Sequence, residues 1–152
     1  MQVGDHFPDF TLPRDGEGAM SLADFKGQKL VLFLYPKDDT SGCTLESIEF
    51  TECSDKFTTV GAVVVGLSKD SVTSHDKFIK KHNLNMPLLS DETGELLETL
   101  GCWVEKNMYG RTFMGIERTT FLIDETGIIR QIWNKVRVKG HVESVLKAVK
   151  SL

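Results

Sequence analysis

Leu30-Val31-Leu32-Phe33-Leu34-Tyr35-Pro36-Lys37-Asp38-Asp39-Thr40-Ser41-Gly42-Cys43 is the stretch around which the rest of the chain is organised. Its opening run, Leu30 to Tyr35, is continuously apolar rather than alternating, and polar and turn residues bound it. That pattern predicts a strand buried on both faces. Pro36 and Asp38-Asp39-Thr40 end the strand, Gly42 lets the backbone turn closely, and a helical pattern follows. Cys43 is thereby placed in the first turn of a helix, at the C-terminal edge of a central strand. Unpaired N–H groups and the positive end of the helix dipole favour a thiolate over a thiol at such a position. Ligands of open α/β sheets also bind just outside the carboxyl ends of strands. Cys43 is therefore the sharpest chemical signal in the chain.

Working outward, the 152 residues are 40% hydrophobic and 26% charged, which fits one compact domain over 1–152. A net charge of −4 gives no global pull toward nucleic acid or an anionic membrane. Lys135 to Lys139 alternates with valines and reads as a solvated strand edge or loop. No apolar stretch approaches the ~20 residues of a membrane span. Met1 to His6 lack a basic and an apolar leader region, so no secretory signal is expected. Three cysteines, an odd number, argue against a disulfide scaffold. Reduced thiols in a cytoplasmic protein are the expectation, with a monomer or weak dimer as the assembly.

Phe7 to Leu12 reads as a short extended segment, with Asp15-Gly16-Glu17-Gly18 turning it into a small hairpin that returns through Met20-Ser21-Leu22. Ser21 to Phe25 predicts one capped turn. A helix is expected from Cys43 to about Thr58, because Phe50, Cys53 and Phe57 share a stripe. Gly61 to Leu67 is a second interior strand. Asp70 or Ser71 caps a helix over Val72–His82, with Phe78 and Ile79 facing inward. Pro87-Leu88-Leu89 is a brief strand, Thr93–Leu100 a short helix, and Gly101–Gly115 an ordered loop. Thr119–Ile123 and Ile128–Trp133, joined through Asp124-Glu125-Thr126-Gly127, form a hairpin. A last amphipathic helix runs from about Val142 to Leu152. Strands alternating with helices and closing in a hairpin predict an α/β domain with a mixed sheet and helices on both faces, the outline of a thioredoxin-like fold with an N-terminal hairpin.

Thr40 can be a plain N-cap, or its hydroxyl can hydrogen-bond whatever the thiolate attacks. Thr40-Ser41-Gly42-Cys43 has C-x-x-C spacing with only one sulfur, which counts against a dithiol exchange enzyme. Pro36…Thr40…Cys43 resembles the P-x-x-x-T-x-x-C signature of peroxiredoxins. Tyr35 to Glu46, Lys106 to Arg111, and Met114 to Asp124 are similar to the bacterioferritin-comigratory-protein (PrxQ) subfamily, and the likeness spans essentially the whole chain. The resemblance implies a thioredoxin-like peroxiredoxin fold and a thiol-dependent peroxidase for hydrogen peroxide and small organic hydroperoxides. It implies Cys43 as the peroxidatic cysteine, Thr40 and Arg118 as its activating partners, and Pro36 as its shield. Arg118 taken alone reads as a surface charge opening a strand; paired with the first motif it reads as functional.

The sequence departs from the family at Ser41, where many members have Pro, and at Ile48, where the subfamily often has a resolving cysteine. Cys53 lies on an apolar stripe and reads as core. Cys102, at a loop start beside Trp103, fits packing and a redox role equally well. An external thiol (thioredoxin, glutaredoxin or glutathione) is therefore favoured to resolve the sulfenic acid, with Cys102 the internal candidate and Cys53 behind it. No cofactor or metal is implied. His6, His75, His82 and His141 lack ligand spacing and read as surface residues or caps. Gly16-Glu17-Gly18 opens no helix and is no phosphate loop. Met108 and Tyr109 fit either the substrate mouth or loop packing. A thiol–disulfide oxidoreductase and a redox-sensing interaction protein are the competing functions; insulin reduction separates the first, and turnover with a thiol reductant argues against the second.

Overall fold

The computed structural model describes residues 1–152. β1 (Thr11–Pro13) and β2 (Ala19–Ser21) form the expected N-terminal hairpin. A single 3-10 turn, Leu22–Phe25, follows, and the Asp24 carboxylate accepts the Ser21 N–H at 2.8 Å, one half of a capping box. Then come β3 (Lys29–Leu34), α1 (Ser41–Glu52), α2 (Ser54–Thr59), β4 (Ala62–Ser68), α3 (Val72–His82), β5 (Leu88–Ser90), α4 (Glu95–Thr99), β6 (Trp103–Met108), β7 (Arg111–Ile116), β8 (Thr119–Ile123), β9 (Ile129–Trp133) and α5 (His141–Lys150).

The main sheet has the order β5-β4-β3-β8-β9, with β3, β4 and β5 parallel and β8 and β9 antiparallel to their neighbours. β3 is its middle strand, and Leu30 to Leu34 are all buried, as the continuous apolar run requires. Its side chains divide between two cores. Leu30, Leu32 and Leu34 join α4 and the N-terminal segment on one face, while Val31, Phe33 and Tyr35 join α1, α2, α3 and α5 on the other. Ser71 caps α3 by accepting the Ser74 N–H at 3.1 Å.

Two sequence expectations are corrected. The helix after Cys43 does not run unbroken to Thr58; it stops at Cys53 (φ −94°, ψ 4°), and α2 starts afresh at Ser54. Ser54 and Asp55 suit a new N-terminus better than a helix interior, and the break lets Phe57 bury against β4. The segment Gly101–Gly115 is not a loop. It holds β6 and β7, a two-stranded antiparallel hairpin in register from Trp103↔Ile116 to Met108↔Arg111. Its two-residue turn, Tyr109-Gly110, has φ of 53° and 75°, the mirror-image turn whose twist matches the flanking strands.

Candidate active site

β3 delivers the chain to the active-site corner, where buried Tyr35 and then half-buried Pro36 follow its last residue, Leu34. Asp39 takes a left-handed conformation (φ 62°), which turns the chain so that Thr40 sits at the N-cap of α1. The first α1 hydrogen bond runs from Thr44 N–H to Thr40 C=O at 2.8 Å, so the Gly42 and Cys43 N–H groups have no acceptor within the helix. Thr40 occupies the cap position without capping: its hydroxyl donates to the Lys37 carbonyl at 2.9 Å. With its proton committed there, the oxygen presents lone pairs as acceptors.

Cys43 is 0% exposed. Arg118, just ahead of β8, reaches across and donates from Nη2 to the Cys43 Sγ at 3.1 Å. Gly42 leaves room for that approach, since a Cβ on it would stand 3.3 Å from the same Nη2, a tight contact that would press on the guanidinium. The other arm of the guanidinium, Nη1, donates to Glu46 Oε1 at 2.7 Å. Burial disfavours the Arg118 charge, but the Glu46 and Cys43 charges outweigh it and hold the guanidinium protonated more firmly than usual.

Sequence reasoning passed over Glu46 as a site residue. It lies one turn beyond Cys43 on α1, fully buried, with its Oε2 lacking a hydrogen-bond partner. Burial pushes its carboxyl up to about 7, against the opposing pull of Arg118. His141 stands behind it, Nε2 4.0 Å from Glu46 Oε2 and 2.8 Å from the Thr120 hydroxyl. Burial and the Arg118 charge push its imidazole down to about 4. Its position as the first residue of a helix with an apolar face was the available signal.

His75 and His141 are buried, which corrects their reading as surface residues or caps. His75, Asp38 and Asp70 place one ligand atom each within 4.8 Å of one another, the geometry of a possible cation site. The donor chemistry does not fit one. His75 Nε2 lies 2.9 Å from the Leu89 carbonyl and Nδ1 2.7 Å from Asp38 Oδ2, so both nitrogens face acceptors and carry protons. Asp70 Oδ2 already accepts the Asp38 N–H and the Ser68 hydroxyl.

The remaining candidates separate clearly. Cys102 is buried in the core on the face of the sheet opposite Cys43, and its thiol donates to the Leu100 carbonyl at 3.7 Å. Burial pushes that thiol up. Cys53 is half-buried at the α1–α2 break. Tyr109, at the hairpin tip, is 98% exposed, so loop packing does not account for it. Lys106 on β6 feels the charges of the site: burial and the Arg118 charge lower its pKa, against the opposing pull of Cys43 and Glu117.

A cysteine at a helix N-terminus, clasped by an arginine on a thioredoxin-like sheet, defines a thiol-redox protein. Residues 3–132 match the AhpC/TSA family. A Coxiella burnetii relative bearing a Bcp peroxiredoxin name is 49% identical over 96% of this chain and 97% of its own length. The Bacillus subtilis peroxiredoxin Bcp is 41% identical over 100% of this chain and 97% of its own. A cysteine-to-serine mutant of Xylella fastidiosa PrxQ superposes with a TM-score of 0.94 at 39% identity, covering 99% of this chain and 96% of the other. The bacterioferritin comigratory protein of Xanthomonas campestris, described for alkyl peroxide reduction, gives a TM-score of 0.89 at 41% identity over 93% and 90% of the two chains. The chain belongs to the AhpC/TSA family, within its Bcp/PrxQ peroxiredoxins. No helix is long and apolar enough to cross a membrane.

Proposed function

We propose that the chain performs the thiol-dependent peroxidase reaction of its family at Cys43, reducing hydrogen peroxide and small organic hydroperoxides. The observation that carries this reading is the 3.1 Å contact from Arg118 Nη2 to Cys43 Sγ at the start of α1. The Cys43 thiolate attacks the terminal peroxide oxygen; an S–O bond forms as the O–O bond breaks, and the leaving oxygen takes a proton to depart as water or an alcohol. The cysteine is oxidised to sulfenic acid and the peroxide is reduced. Arg118 stabilises first the thiolate and then the charge growing on the leaving oxygen. The Cys43 N–H and the Thr40 oxygen hold the peroxide in line, and Pro36, with no N–H to offer, borders the sulfur.

A thiol from outside the chain then attacks the sulfenic sulfur, releasing water and leaving a mixed disulfide. A second thiol frees Cys43. Thioredoxin, glutaredoxin and glutathione all supply that chemistry in a reducing cytoplasm. The test is mass spectrometry of the protein after one equivalent of peroxide, with stopped-flow kinetics of peroxide loss. One added oxygen on Cys43, and no peroxide loss in Cys43→Ser, are expected. Full turnover in Cys43→Ser would sink the assignment.

A further inference from the structure

The loop that carries the reacting groups has an anchor that the peroxide chemistry itself does not require. Asp38, two residues before Thr40, is 8% exposed and directs both carboxylate oxygens inward. Oδ1 accepts the Tyr35 hydroxyl at 2.6 Å, and Oδ2 accepts the Ser74 hydroxyl at 2.8 Å. His75 Nδ1 reaches the same Oδ2 at 2.7 Å, and both residues of the pair are almost wholly out of water. The Asp38 N–H is in turn held by Asp70 at 2.8 Å. A second tie lies outside: Asp39 accepts from Lys81 and from His82, each at 2.7 Å. All the side chains that grip the carboxylates from across the loop come from α3, an element that contributes nothing to the reacting atoms.

A buried carboxylate costs several kcal/mol to desolvate unless it is paired, so this network is closed or it fails. It also sits at the point where the molecule has two demands to meet. With Cys43 0% exposed, the sulfur is held for Arg118 but shut off from any thiol carried by a large partner. The first turn of α1 must therefore open before reduction, and the Pro36–Thr40 loop leads directly into that turn.

We propose that the Asp38–His75 pair is a positioning clamp: it holds the Pro36–Thr40 loop to α3 in the closed arrangement where Arg118 meets Cys43, and so sets the balance between peroxide reaction and access for the reducing thiol. Asp38 and His75 are positioning residues, acting through the loop on Cys43. Reading the clamp as part of peroxide turnover rests on Cys43 as the reacting thiol. Its geometric content, how often the corner opens, does not.

The charge on His75 supports the same picture. Burial lowers its affinity for a proton, but the hydrogen bond and charge of Asp38, the Leu89 carbonyl and the charge of Asp70 outweigh that and raise it above the ordinary histidine value. Tyr35, the other titratable group of the network, is raised well above its usual range by burial and by Asp38. For a raised histidine, the clamp's contribution is present below the ordinary value and is lost as pH climbs through the folded-state value.

The experiment uses the full-length protein with Cys53→Ser and Cys102→Ser, so that only Cys43 reacts. Asp38→Asn and His75→Gln are each compared with this parent by two rates: sulfenic acid formation with hydrogen peroxide, and labelling of Cys43 by a bulky maleimide. The expected result is opposite movement, the peroxide rate falling about tenfold and the labelling rate rising by a similar factor. His75→Gln, which keeps a donor, should lie between parent and Asp38→Asn. Nuclear magnetic resonance should show the parent's His75 titrating above the ordinary histidine range, and lower in Asp38→Asn. Should Asp38→Asn fail to fold, Ser74→Ala removes one 2.8 Å bond and is read the same way, with about twofold opposite shifts. Two rates that stay unchanged, or fall together, overturn the clamp. Peroxide turnover surviving in Cys43→Ser would overturn the peroxidase reading instead, and leave the labelling result to judge the clamp.

Discussion

Arg118 is shared between a sulfur and a carboxylate, and the chemistry depends on how that sharing is arranged. Arg118→Ala is expected to slow peroxide reduction by about 10²-fold or more, the scale of losing one donor to a developing oxyanion. Arg118→Lys should recover only part, because an ammonium keeps the charge but cannot hold Cys43 and Glu46 at once with a planar fork. Stopped-flow peroxide kinetics on folded variants check both. Gly42→Ala probes the same contact from the other side: its Cβ would crowd Nη2 at 3.3 Å, so the peroxide rate should fall while thermal stability changes little. Glu46 and His141 act on stability with opposite signs. Glu46, raised to about 7 from 4.5, holds its proton in the folded state longer than in the unfolded one, so its contribution falls as pH rises across that window. His141, lowered to about 4 from 6.5, resists protonation, so its contribution is lost as pH falls across nearly the same window. The two offset each other in the native protein. Glu46→Gln should therefore lose stability on acidification from pH 6.5 to 4, and His141→Gln should gain it from pH 7 to 4.5, as urea melts at each pH would show.

At the scale of elements, legibility followed burial. β3 was readable because a run buried on both faces needs no alternation, and the 3-10 turn and α3 because Ser21 and Ser71 stand at their starts. The β6–β7 hairpin was not, because most of its residues are exposed and no core imposes a pattern on them. Its turn also carries Tyr109 where Asn usually marks φ above zero. Tyr109→Asn is accordingly expected to raise stability slightly, by about 0.5 kcal/mol or more, readable as a shift in urea midpoint. The α1–α2 break was hidden for the opposite reason: Phe50 and Phe57 keep helical spacing across it, since both bury in the same core. Close packing of β4 on that core predicts a sharper effect. A Cβ on Gly66 would lie 2.6 Å from Leu88 Cδ2 and 3.0 Å from Phe33 Cζ, both on fully buried side chains. Gly66→Ala should cost about 1–3 kcal/mol by overpacking, seen as a lowered melting temperature.

The whole molecule is two cores divided by one sheet, and that division bears on how Cys43 is reduced. The motif Pro36…Thr40…Cys43 could be read along the chain, but Arg118 reaches it only through sheet order, 75 residues away. Sheet order also governs the cysteines. β8 is hydrogen-bonded beside β3, and at its start Arg118 turns toward Cys43 while Thr119 turns toward Cys102. The sheet thus stands between the two sulfurs, and a disulfide needs Cα atoms within roughly 7 Å. Joining Cys43 to Cys102 would mean moving one of them through a packed layer, at the cost of emptying its core. Cys53 shares the core face with Cys43 but lies beyond the rest of α1, ten residues on, or about 15 Å along a helix axis. Unwinding α1 by more than two turns would also expose Phe50, which stacks on Phe33 at 4.7 Å. Resolution by an external thiol asks only that the first turn of α1 open. Cys102→Ser and Cys53→Ser, assayed separately with a thiol reductant, are therefore expected to keep turnover close to that of the unaltered chain. Non-reducing peptide maps after one equivalent of peroxide should show Cys43 as sulfenic acid, or joined to the added thiol. A Cys43–Cys102 or Cys43–Cys53 peptide, with turnover lost in the matching serine variant, would establish internal resolution and require the sheet or α1 to rearrange during each cycle.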